Sequence, residues 1–581
     1  MVTYLTQQQA SRIEGRFRRL YGPRASSLLD RFFMLLGRYG VGVGPIEKMP
    51  LWDENDTVLI TYADSIRQEG ERPLVTLRRF CAEYLKGTIR TVHILPFYPW
   101  SSDDGFSVID YRKVEPSYGH WDDVENLGKD FNLMFDLVLN HCSRKSAWFR
   151  EFVTGVAPGR HYFHSMDTSL DLSKVVRPRQ SPLLTKTATR NGNAWVWTTF
   201  SDDQVDLNWA NPDVLFEFLD IFFLYLSKGC RIFRLDAVAF LWKSIGTDCL
   251  HLPETHEVVK LFRDVLEVVA PASILITETN VPHEENISYF GDGDEAHMVY
   301  NFTLPPLLLH ALLRGSAAEL TRWAGGLPNL PPGRTFFNFT ASHDGVGVRP
   351  LQGILPDSER DWLAKEVSRR GGKVSLKSNS DGSTSPYELN ISYVDALGDR
   401  KDEPLGTRRF LCSQAVALSL RGVPALYIHS LMGTGNDLDG LKRLGYNRAI
   451  NRRKLDIGEL TATLADLDSR ENRIHTTLIK WIRRRGHHPA FHPDAPQEVM
   501  DLGPEFFALR RISLDRAETI FCLFNFTATE QALPFRKIDA CLGVAGTCRD
   551  LISAQTMRTG PKRTLTLSPY QAVWLVYRSG S

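Results

Sequence analysis

The sequence predicts an α/β fold, a (β/α)8 TIM barrel with inserted loop subdomains and a C-terminal antiparallel β-domain. After Trp52, apolar runs rich in β-branched residues alternate with helical stretches, which is typical of a parallel sheet buried on both faces. Eight such runs are enough to close a barrel, and a chain of 581 residues leaves room for insertions. The predicted strands lie at 58–62, 91–97, 133–139, 231–235, 274–277, 298–302, 335–340 and 425–428.

Helical periodicity predicts the segments that connect these strands. Residues 74–85 and 254–269 carry helical patterns. Asn211 with Pro212 predicts the start of another helix, because asparagine caps helices and proline fits their first turn. Before the barrel, residues 1–50 also carry a helical pattern and are predicted to form an N-terminal helical extension.

Two long polar segments interrupt the alternation of strands and helices. Each follows the carboxyl end of a predicted strand, where barrel active sites form, so each is predicted to be functional. The first is an inserted domain B at 142–208, and the second is an inserted loop subdomain B′ at 345–405. The barrel itself takes 51–141, 209–344 and 406–486. The C-terminal β-domain takes 487–581, with strands at 506–511, 519–526, 564–567 and 572–577.

Composition excludes several functional classes. The formal net charge is +1, so no global field attracts nucleic acid or a membrane surface. The sequence contains no run of eighteen apolar residues and its first residues lack a signal-peptide core, so we expect a cytoplasmic protein. The eight cysteines form no Cys-x-x-Cys pair, which predicts free thiols and not a zinc site. We expect no metal and no cofactor.

Four short motifs place polar residues at the ends of predicted strands. They are Asp136-Leu-Val-Leu-Asn140-His141, Phe233-Arg234-Leu-Asp236, Ile276-Thr277-Glu278 and Ser342-His343-Asp344. A carboxylate at the end of a buried apolar run must be paired or open to a cavity, because burying it alone is costly. Cleavage of a glycoside with retention needs two such carboxylates close together. The motifs therefore favour a glycosidic active site at this end of the barrel.

The local sequence suggests different states for two of the carboxyl groups. Asp236 lies two residues after Arg234, so both side chains share one face of the strand and the guanidinium favours an ionised nucleophile. Glu278 follows the apolar segment Ser-Ile-Leu-Ile-Thr, which favours a raised pKa and an acid/base role. Asp344 beside His343 is suited to bind sugar hydroxyls.

In order and spacing, the four motifs resemble the signature regions of glycoside hydrolase family 13, the α-amylase superfamily. The resemblance spans about residues 55–580. It implies that Asp236 is the nucleophile, Glu278 the acid/base and Asp344 the transition-state stabiliser. It implies sugar contacts for Arg234, His141 and His343.

Further motifs resemble the sucrose phosphorylase subfamily. They include Asp103-Asp-Gly-Phe106, Arg177-Pro-Arg179, Trp197-Thr-Thr-Phe200 with Gln204, and Asn447-Arg448-Ala-Ile-Asn-Arg452. The resemblance implies that Asp103 and Arg448 hold the glucosyl ring, and that Phe106, Phe200 and Gln204 belong to its pocket. It implies that Arg179 and Tyr387 lie on mobile loops and bind phosphate or the acceptor.

One position departs from that subfamily. Sucrose phosphorylases carry Tyr-Gln where this chain has Tyr387-Glu388. Two other stretches, Trp100-Ser-Ser-Asp-Asp-Gly-Phe-Ser-Val-Ile-Asp-Tyr and Gly345-Val-Gly-Val-Arg349-Pro-Leu-Gln352-Gly, resemble the glucosylglycerate phosphorylase branch. Arg177, Arg179 and Arg349 are the predicted phosphate or acceptor contacts, and Arg349 suits a glycerate carboxylate. Glu388, grouped with them, is electrostatically unsuited to phosphate unless it points away or pairs with Arg179.

The resemblance implies a retaining, phosphorolytic glucosyltransferase that transfers glucosyl from glucosylglycerate to inorganic phosphate and forms α-glucose 1-phosphate. Its expected partners are a small glucoside, glucosylglycerate or sucrose, and inorganic phosphate. Sucrose phosphorylase is the first alternative, and a hydrolase or transglucosidase on small α-glucosides is the second. A non-catalytic scaffold disagrees with the complete set of three carboxylates. Phe106 and Phe200 also fit ordinary core aromatics, and Arg179 also fits a solvated loop. A monomer or a homodimer is expected, with no nucleic-acid or membrane partner.

Overall fold

The computed structural model describes residues 5–40, 50–378 and 383–578, and its centre is a closed barrel of eight parallel strands. The strands are β1 (Val58–Thr61), β2 (Thr91–Ile94), β3 (Asn132–Val138), β4 (Cys230–Asp236), β5 (Ile274–Thr277), β6 (Met298–Tyr300), β7 (Thr335–Phe339) and β8 (Val423–Tyr427). Each strand pairs with its neighbours in sequence, and β8 pairs with β1 to close the ring. The predicted barrel is confirmed.

Helices follow the barrel strands and cover the outside of the barrel. The main ones are Pro73–Phe80, Trp121–Gly128, Pro212–Ser227, Pro253–Val269, Leu304–Arg314, Ala318–Gly325, Glu403–Ser419 and Arg470–Arg485. The predicted cap at Asn211 is present, because its side chain accepts a hydrogen bond of 3.0 Å from the Asp213 N–H. Shorter helices lie at His283–Ile287, Tyr393–Leu397, Ile428–Leu431, Leu438–Leu444 and Ile457–Ala465.

Two N-terminal helices, Gln7–Tyr21 and Ala25–Arg38, pack against the outside of the barrel. The buried Arg16 side chain donates a 2.9 Å hydrogen bond to Asp264 on the helix Pro253–Val269. These contacts tie the predicted helical extension to the helix that connects β4 and β5.

The insertion after β3 contains the helix Ala147–Thr154 and an antiparallel sheet made of Ser165–Met166, Leu184–Thr189 and Gly192–Trp197. The insertion after β7 contains the helix Asp357–Arg369 and the strands Lys373–Ser378 and Thr384–Asn390. The short strand Val346–Gly347 pairs with the second of these, and Gly347 lies opposite Glu388. That pairing holds Glu388 beside the carboxyl end of β7.

The C-terminal region forms an antiparallel six-stranded sheet. In spatial order its strands are Gln497–Val499, Phe506–Ile512, Glu518–Asn525, Ala572–Arg578, Gly546–Asp550 and Thr556–Thr559, and a second pair joins Gln531–Pro534 to Thr564–Leu567. The Trp574 indole N–H donates a 2.7 Å hydrogen bond to Ser419, at the end of a barrel helix. The predicted β-domain is confirmed as an architecture, while the sequence positions given for the domain boundaries stay a prediction.

Within residues 5–40, 50–378 and 383–578, none of the helices combines the length and the apolar character that crossing a membrane requires.

Candidate active site

A cavity opens at the carboxyl ends of the barrel strands, and all but three of the predicted site residues line it. They are Asp103, Phe106, His141, Arg179, Phe200, Gln204, Asp236, Glu278, His343, Asp344, Tyr387, Glu388 and Arg448. The barrel, the insertion after β3 and the insertion after β7 all contribute side chains. The three predicted residues outside this wall are Arg177, Arg234 and Arg349.

Arg234 lies immediately behind the cavity wall and binds the predicted nucleophile. Its Nη1 donates a 2.6 Å hydrogen bond to Oδ1 of Asp236, which ends β4. The same Nη1 also donates to Asp136 on β3, and Asp136 Oδ2 accepts a second hydrogen bond of 2.7 Å from His93 Nε2. Arg234 is held between Asp136 and Asp236, so it orients the Asp236 carboxylate, and its charge opposes the rise in pKa that burial causes there.

Glu278 lies one residue beyond β5, next to Asp236 on the neighbouring strand. Its Oε2 accepts a 3.0 Å hydrogen bond from the Ala237 N–H, and its Oε1 is 3.8 Å from Arg234 Nη2. Ala237 adopts φ 50°, a left-handed conformation that residues other than glycine, asparagine and aspartate rarely adopt. This turn after the nucleophile points the amide of Ala237 at Glu278.

The Asp236 and Glu278 carboxyls are buried together, and their protonation is linked. Burial raises the pKa of both groups, and the Arg234 guanidinium opposes this. The Glu278 carboxylate further raises the pKa of Asp236, and the Asp344 carboxylate further raises the pKa of Glu278. Asp236 has the direct hydrogen bond to Arg234, whereas Glu278 has only the longer contact. We therefore expect the proton that this coupled pair retains as pH rises to lie on Glu278.

Asp344 belongs to a network of ion pairs around Arg448. Arg448 Nη1 is 2.5 Å from Asp344 Oδ1, and its Nε and Nη2 donate hydrogen bonds of 3.0 and 2.7 Å to the two oxygens of Glu388. Burial raises the pKa of Asp344, but Arg448, Arg452, Arg234 and Arg179 together outweigh burial and lower it. Asp344 is therefore an anion when the cavity is free of ligand.

The sequence suggests that Glu388 either points away from phosphate or pairs with Arg179, and in the structure it pairs with Arg448. Glu388 is 1% exposed, and its carboxylate is paired with Arg448 of the predicted glucosyl pocket, not with Arg179. The physical reason is the sheet register that places Glu388 opposite Gly347, beside the end of β7. Its assignment to phosphate or the acceptor stays a prediction.

Aromatic and imidazole rings form another part of the wall. The rings of Phe106 and His343 stack with centroids 4.7 Å apart and an interplanar angle of 4°. His141 lies within 3.0 Å of the Phe106 carbonyl oxygen and 3.2 Å of Gln204 Nε2, and its ring is 5.2 Å from that of Phe200. Burial lowers the pKa of both histidines, so each presents a neutral imidazole at neutral pH.

The predicted phosphate or acceptor arginines lie in three different environments. Arg179 lines the cavity with its guanidinium 5.6 Å from the ring centre of Tyr387, and no acidic partner of Arg179 occurs in the described part of the chain. Arg177 instead donates to the Ser181 carbonyl, and Arg349 lies 3.8 Å from Glu285. The structure thus brings Arg179 and Tyr387 together but leaves Arg177 and Arg349 outside the cavity wall.

Several residues at this site were not predicted from the sequence. Asn280, two residues after Glu278, and Phe302, two residues after β6, line the cavity. Their positions just beyond barrel strands are the sequence feature that could have identified them as cavity residues. Arg452 lies behind the wall and donates a 2.8 Å hydrogen bond to the His343 carbonyl. It belongs to the same sequence motif as Arg448.

Asn140 and Asp206, near the cavity, bind a lysine. Lys243 Nζ is 2.7 Å from Asp206 and donates a 2.8 Å hydrogen bond to Asn140 Oδ1. The Asn140 amide also donates a 3.0 Å hydrogen bond to Asp206. These oxygens are occupied by an ammonium group, and over the described ranges no group of three or more His, Cys, Asp or Glu side chains is arranged to hold a metal ion.

Comparison with known proteins agrees with this geometry. Residues 82–320 match the family model described as alpha amylase, catalytic domain. The glucosylglycerate phosphorylase of Spirochaeta thermophila is 48% identical, with 91% of each chain covered. That of Escherichia coli strain K12 is 43% identical, with 90% of this chain and 92% of the relative covered. The chain belongs to the glucosylglycerate phosphorylase family of the α-amylase superfamily.

The fold of this chain is also found in a solved phosphorylase structure. A crystal structure of sucrose 6F-phosphate phosphorylase from Thermoanaerobacter thermosaccharolyticum superimposes with a TM-score of 0.70 at 25% identity. The superposition covers 81% of this chain and 94% of the crystallised chain. The predicted family and fold are therefore confirmed.

Proposed function

We propose that this protein is a retaining glucosylglycerate phosphorylase. It transfers the glucosyl group of 2-O-α-glucosylglycerate to inorganic phosphate and forms α-glucose 1-phosphate, reversibly and by double displacement. The observation that carries the proposal is the pair Asp236 and Glu278 in a chain 43–48% identical to two relatives of that name. The chain is a hexosyltransferase on this proposal, and phosphate replaces the water used by hydrolases.

In the first step, the carboxylate of Asp236 attacks C1 of the glucosyl group. The bond between C1 and the glycosidic oxygen breaks, and Glu278 gives its proton to the departing glycerate oxygen. Arg234 supports this step because its hydrogen bond to Asp236 orients the attacking carboxylate. The products are a β-glucosyl ester of Asp236 and free glycerate, with Glu278 left ionised.

In the second step, a phosphate oxygen attacks C1 from the face that glycerate has left. The ester bond to Asp236 breaks, Glu278 takes a proton from phosphate, and α-glucose 1-phosphate forms with net retention. Arg179 is suited to bind the phosphate, because it lines the cavity and has no acidic partner in the described ranges. Phosphate already carries negative charge, so a cation assists it more than a further base.

Arg448 and Asp103 fit the role of holding the glucosyl ring. Asp344, kept ionised by Arg448, is placed to accept hydrogen bonds from ring hydroxyls and to stabilise positive charge that develops at the sugar. Phe106, stacked on His343, offers an apolar face to the same ring.

We place the enzyme in the cytoplasm. The cysteines of the described chain are all free thiols, which suits a reducing compartment.

Phosphate dependence is the decisive test of this proposal. The purified protein is incubated with glucosylglycerate or with sucrose, each with and without phosphate, and glucose 1-phosphate and free glucose are measured. We expect glucose 1-phosphate from glucosylglycerate only when phosphate is present. Equal release of free glucose in both conditions would identify a hydrolase, and faster phosphorolysis of sucrose would identify the sucrose phosphorylase alternative.

The assignment of Asp236 has its own test. Asp236→Ala removes the nucleophile, so we expect kcat to fall by at least about 10⁴-fold. Circular dichroism of the variant checks that the barrel is intact. Activity retained in a folded variant would overturn the double displacement.

A further inference from the structure

Arg452 is a buried arginine that contacts the predicted glucosyl pocket from behind. It lies four residues after Arg448, and its side chain is 2% exposed. Unlike Arg448 it does not line the cavity, so a bound sugar does not touch it. Burying a guanidinium that contacts no ligand is unfavourable unless neighbouring acceptors pair with its charge and its N–H groups.

One guanidinium connects three barrel loops. Arg452 Nε donates a 2.8 Å hydrogen bond to the His343 carbonyl, and Nη2 is 3.7 Å from Asp344, both after β7. Its Nη1 donates to Asp104 at 2.6 Å and is 3.4 Å from Asp103, both in the loop after β2. Its planar group is also 5.7 Å from the ring centre of Tyr62, one residue beyond β1.

The loop that receives Nη1 has a strained backbone. Asp103 and Asp104 both have left-handed φ values, 51° and 48°. Gly105 has φ 114°, and a Cβ there would lie 2.4 Å from the Pro96 carbonyl oxygen. Two consecutive left-handed residues are unfavourable without an external contact. Asp104 makes two such contacts, one with Arg452 and one with the Tyr446 hydroxyl at 2.5 Å.

This turn matters because it carries cavity residues on both of its sides. Asp103 faces the cavity and approaches Arg448 to 3.7 Å. Phe106 follows the turn, and its ring stacks on His343, whose carbonyl Arg452 also binds. If the contact with Asp104 were lost, the turn could relax and both cavity residues would move.

We propose that Arg452 is a positioning residue that fixes the Asp103–Phe106 turn relative to Asp344 and thereby sets affinity for the glucosyl ring. The inference rests on the proposed function, because it uses glucoside and glucose 1-phosphate as the two glucosyl donors. Arg452 acts through the wall and touches neither donor. Arg179, which we propose binds phosphate, belongs to the insertion after β3, whereas the described hydrogen bonds of Arg452 go to the loops after β2 and β7, so we expect affinity for phosphate to be independent of Arg452.

The test compares KM values for both reaction directions in Arg452→Lys. Lysine keeps the charge but cannot reach the His343 carbonyl and Asp104 together, so we expect KM for glucosylglycerate and for α-glucose 1-phosphate to rise by about tenfold or more, the effect of one lost charge-assisted hydrogen bond. KM for phosphate should stay within about twofold, because a change smaller than that corresponds to well under one hydrogen bond. Arg453→Lys is the matched control, since Arg453 is the exposed neighbour.

A second variant keeps the inference testable if Arg452→Lys does not fold. Tyr446→Phe removes only the outer hydrogen bond to Asp104, at a half-exposed position, and should raise both glucosyl-donor KM values in the same pattern, by a smaller factor. Unchanged donor KM values in folded variants, or a KM for phosphate that rises equally, would overturn the inference. A wild-type protein that releases no glucose 1-phosphate would instead refute the proposed function.

Discussion

Replacement of Glu388 by glutamine separates two roles for the hairpin after β7. The Glu388 carboxylate is buried and accepts hydrogen bonds of 3.0 and 2.7 Å from Arg448, whose third nitrogen is 2.5 Å from Asp344. Glutamine keeps one acceptor oxygen but turns an NH2 group towards a guanidinium donor. Glu388→Gln therefore removes one charge-assisted hydrogen bond and leaves Arg448 held mainly by Asp344.

The size of the effect follows from that single bond. A hydrogen bond to a charged group contributes about 1.5–3 kcal/mol, which corresponds to about a tenfold to hundredfold change in affinity. If Glu388 acts through Arg448, kcat/KM should fall by this factor for glucosylglycerate and for α-glucose 1-phosphate alike. KM for phosphate should not change, because Glu388 is paired on the glucosyl side.

The assay is initial-rate kinetics in both directions, with each substrate varied in turn. Glu366→Gln is the control, since Glu366 lies in the same insertion and pairs with Arg369 and Arg370 outside the cavity. A direct phosphate role predicts the opposite pattern, because removal of a nearby negative charge would lower KM for phosphate. A Glu388→Gln enzyme with tighter phosphate binding and unchanged glucosyl kinetics would refute the reasoning.

Three further predictions concern protonation, phosphate and stability. Glu278 must be protonated to act and burial raises its pKa, so kcat/KM for glucosylglycerate should fall as pH rises through that raised pKa; a pH profile without an alkaline limb would contradict this. Arg179→Met should raise KM for phosphate by about tenfold to a hundredfold, whereas Lys174→Met on the exposed part of the same loop should not. Arg16→Met leaves the buried Asp264 with fewer partners and should lower the free energy of unfolding by about 3–5 kcal/mol, measured by denaturant titration; a loss below about 1 kcal/mol would contradict the role of the N-terminal helices.

The barrel and its carboxylates could be predicted from the sequence because both depend on local patterns. Buried parallel strands are continuous apolar runs, and polar residues just after them, such as Asp236 and Glu278, gather at one end of the barrel. The strands Gln497–Val499 and Gln531–Pro534 were not predicted. They have only three and four residues and are partly exposed, so neither length nor alternation marks them.

The partners of the charged residues at the site could not be predicted from the sequence, because they lie far away along the chain. Glu388 binds Arg448, 60 residues away, and Arg452 binds Asp104, 348 residues away. Arg349, whose contact with the acceptor stays a prediction, lies 3.8 Å from the carboxylate of Glu285 on the helix His283–Ile287. Charge and sequence position identified these residues as polar groups near strand ends, but their partners depend on how the two insertions fold over the barrel.

The barrel and the insertion after β3 contribute different charged groups to the cavity, which bears on how the preference for an anionic substrate can change. Arg179, the cavity guanidinium without an acidic partner in the described ranges, belongs to the insertion after β3, while Asp236, Glu278 and Asp344 follow barrel strands. Exchange of the short segment around Arg179 alone keeps Phe200 and Gln204 of the same insertion in the cavity wall, so we expect it to alter which anion is accepted and to retain the predicted glucosyl pocket. On the proposed function, the phosphate contact thus lies on a short loop segment outside the barrel, and enzymes that accept other anions can be built by exchanging that segment.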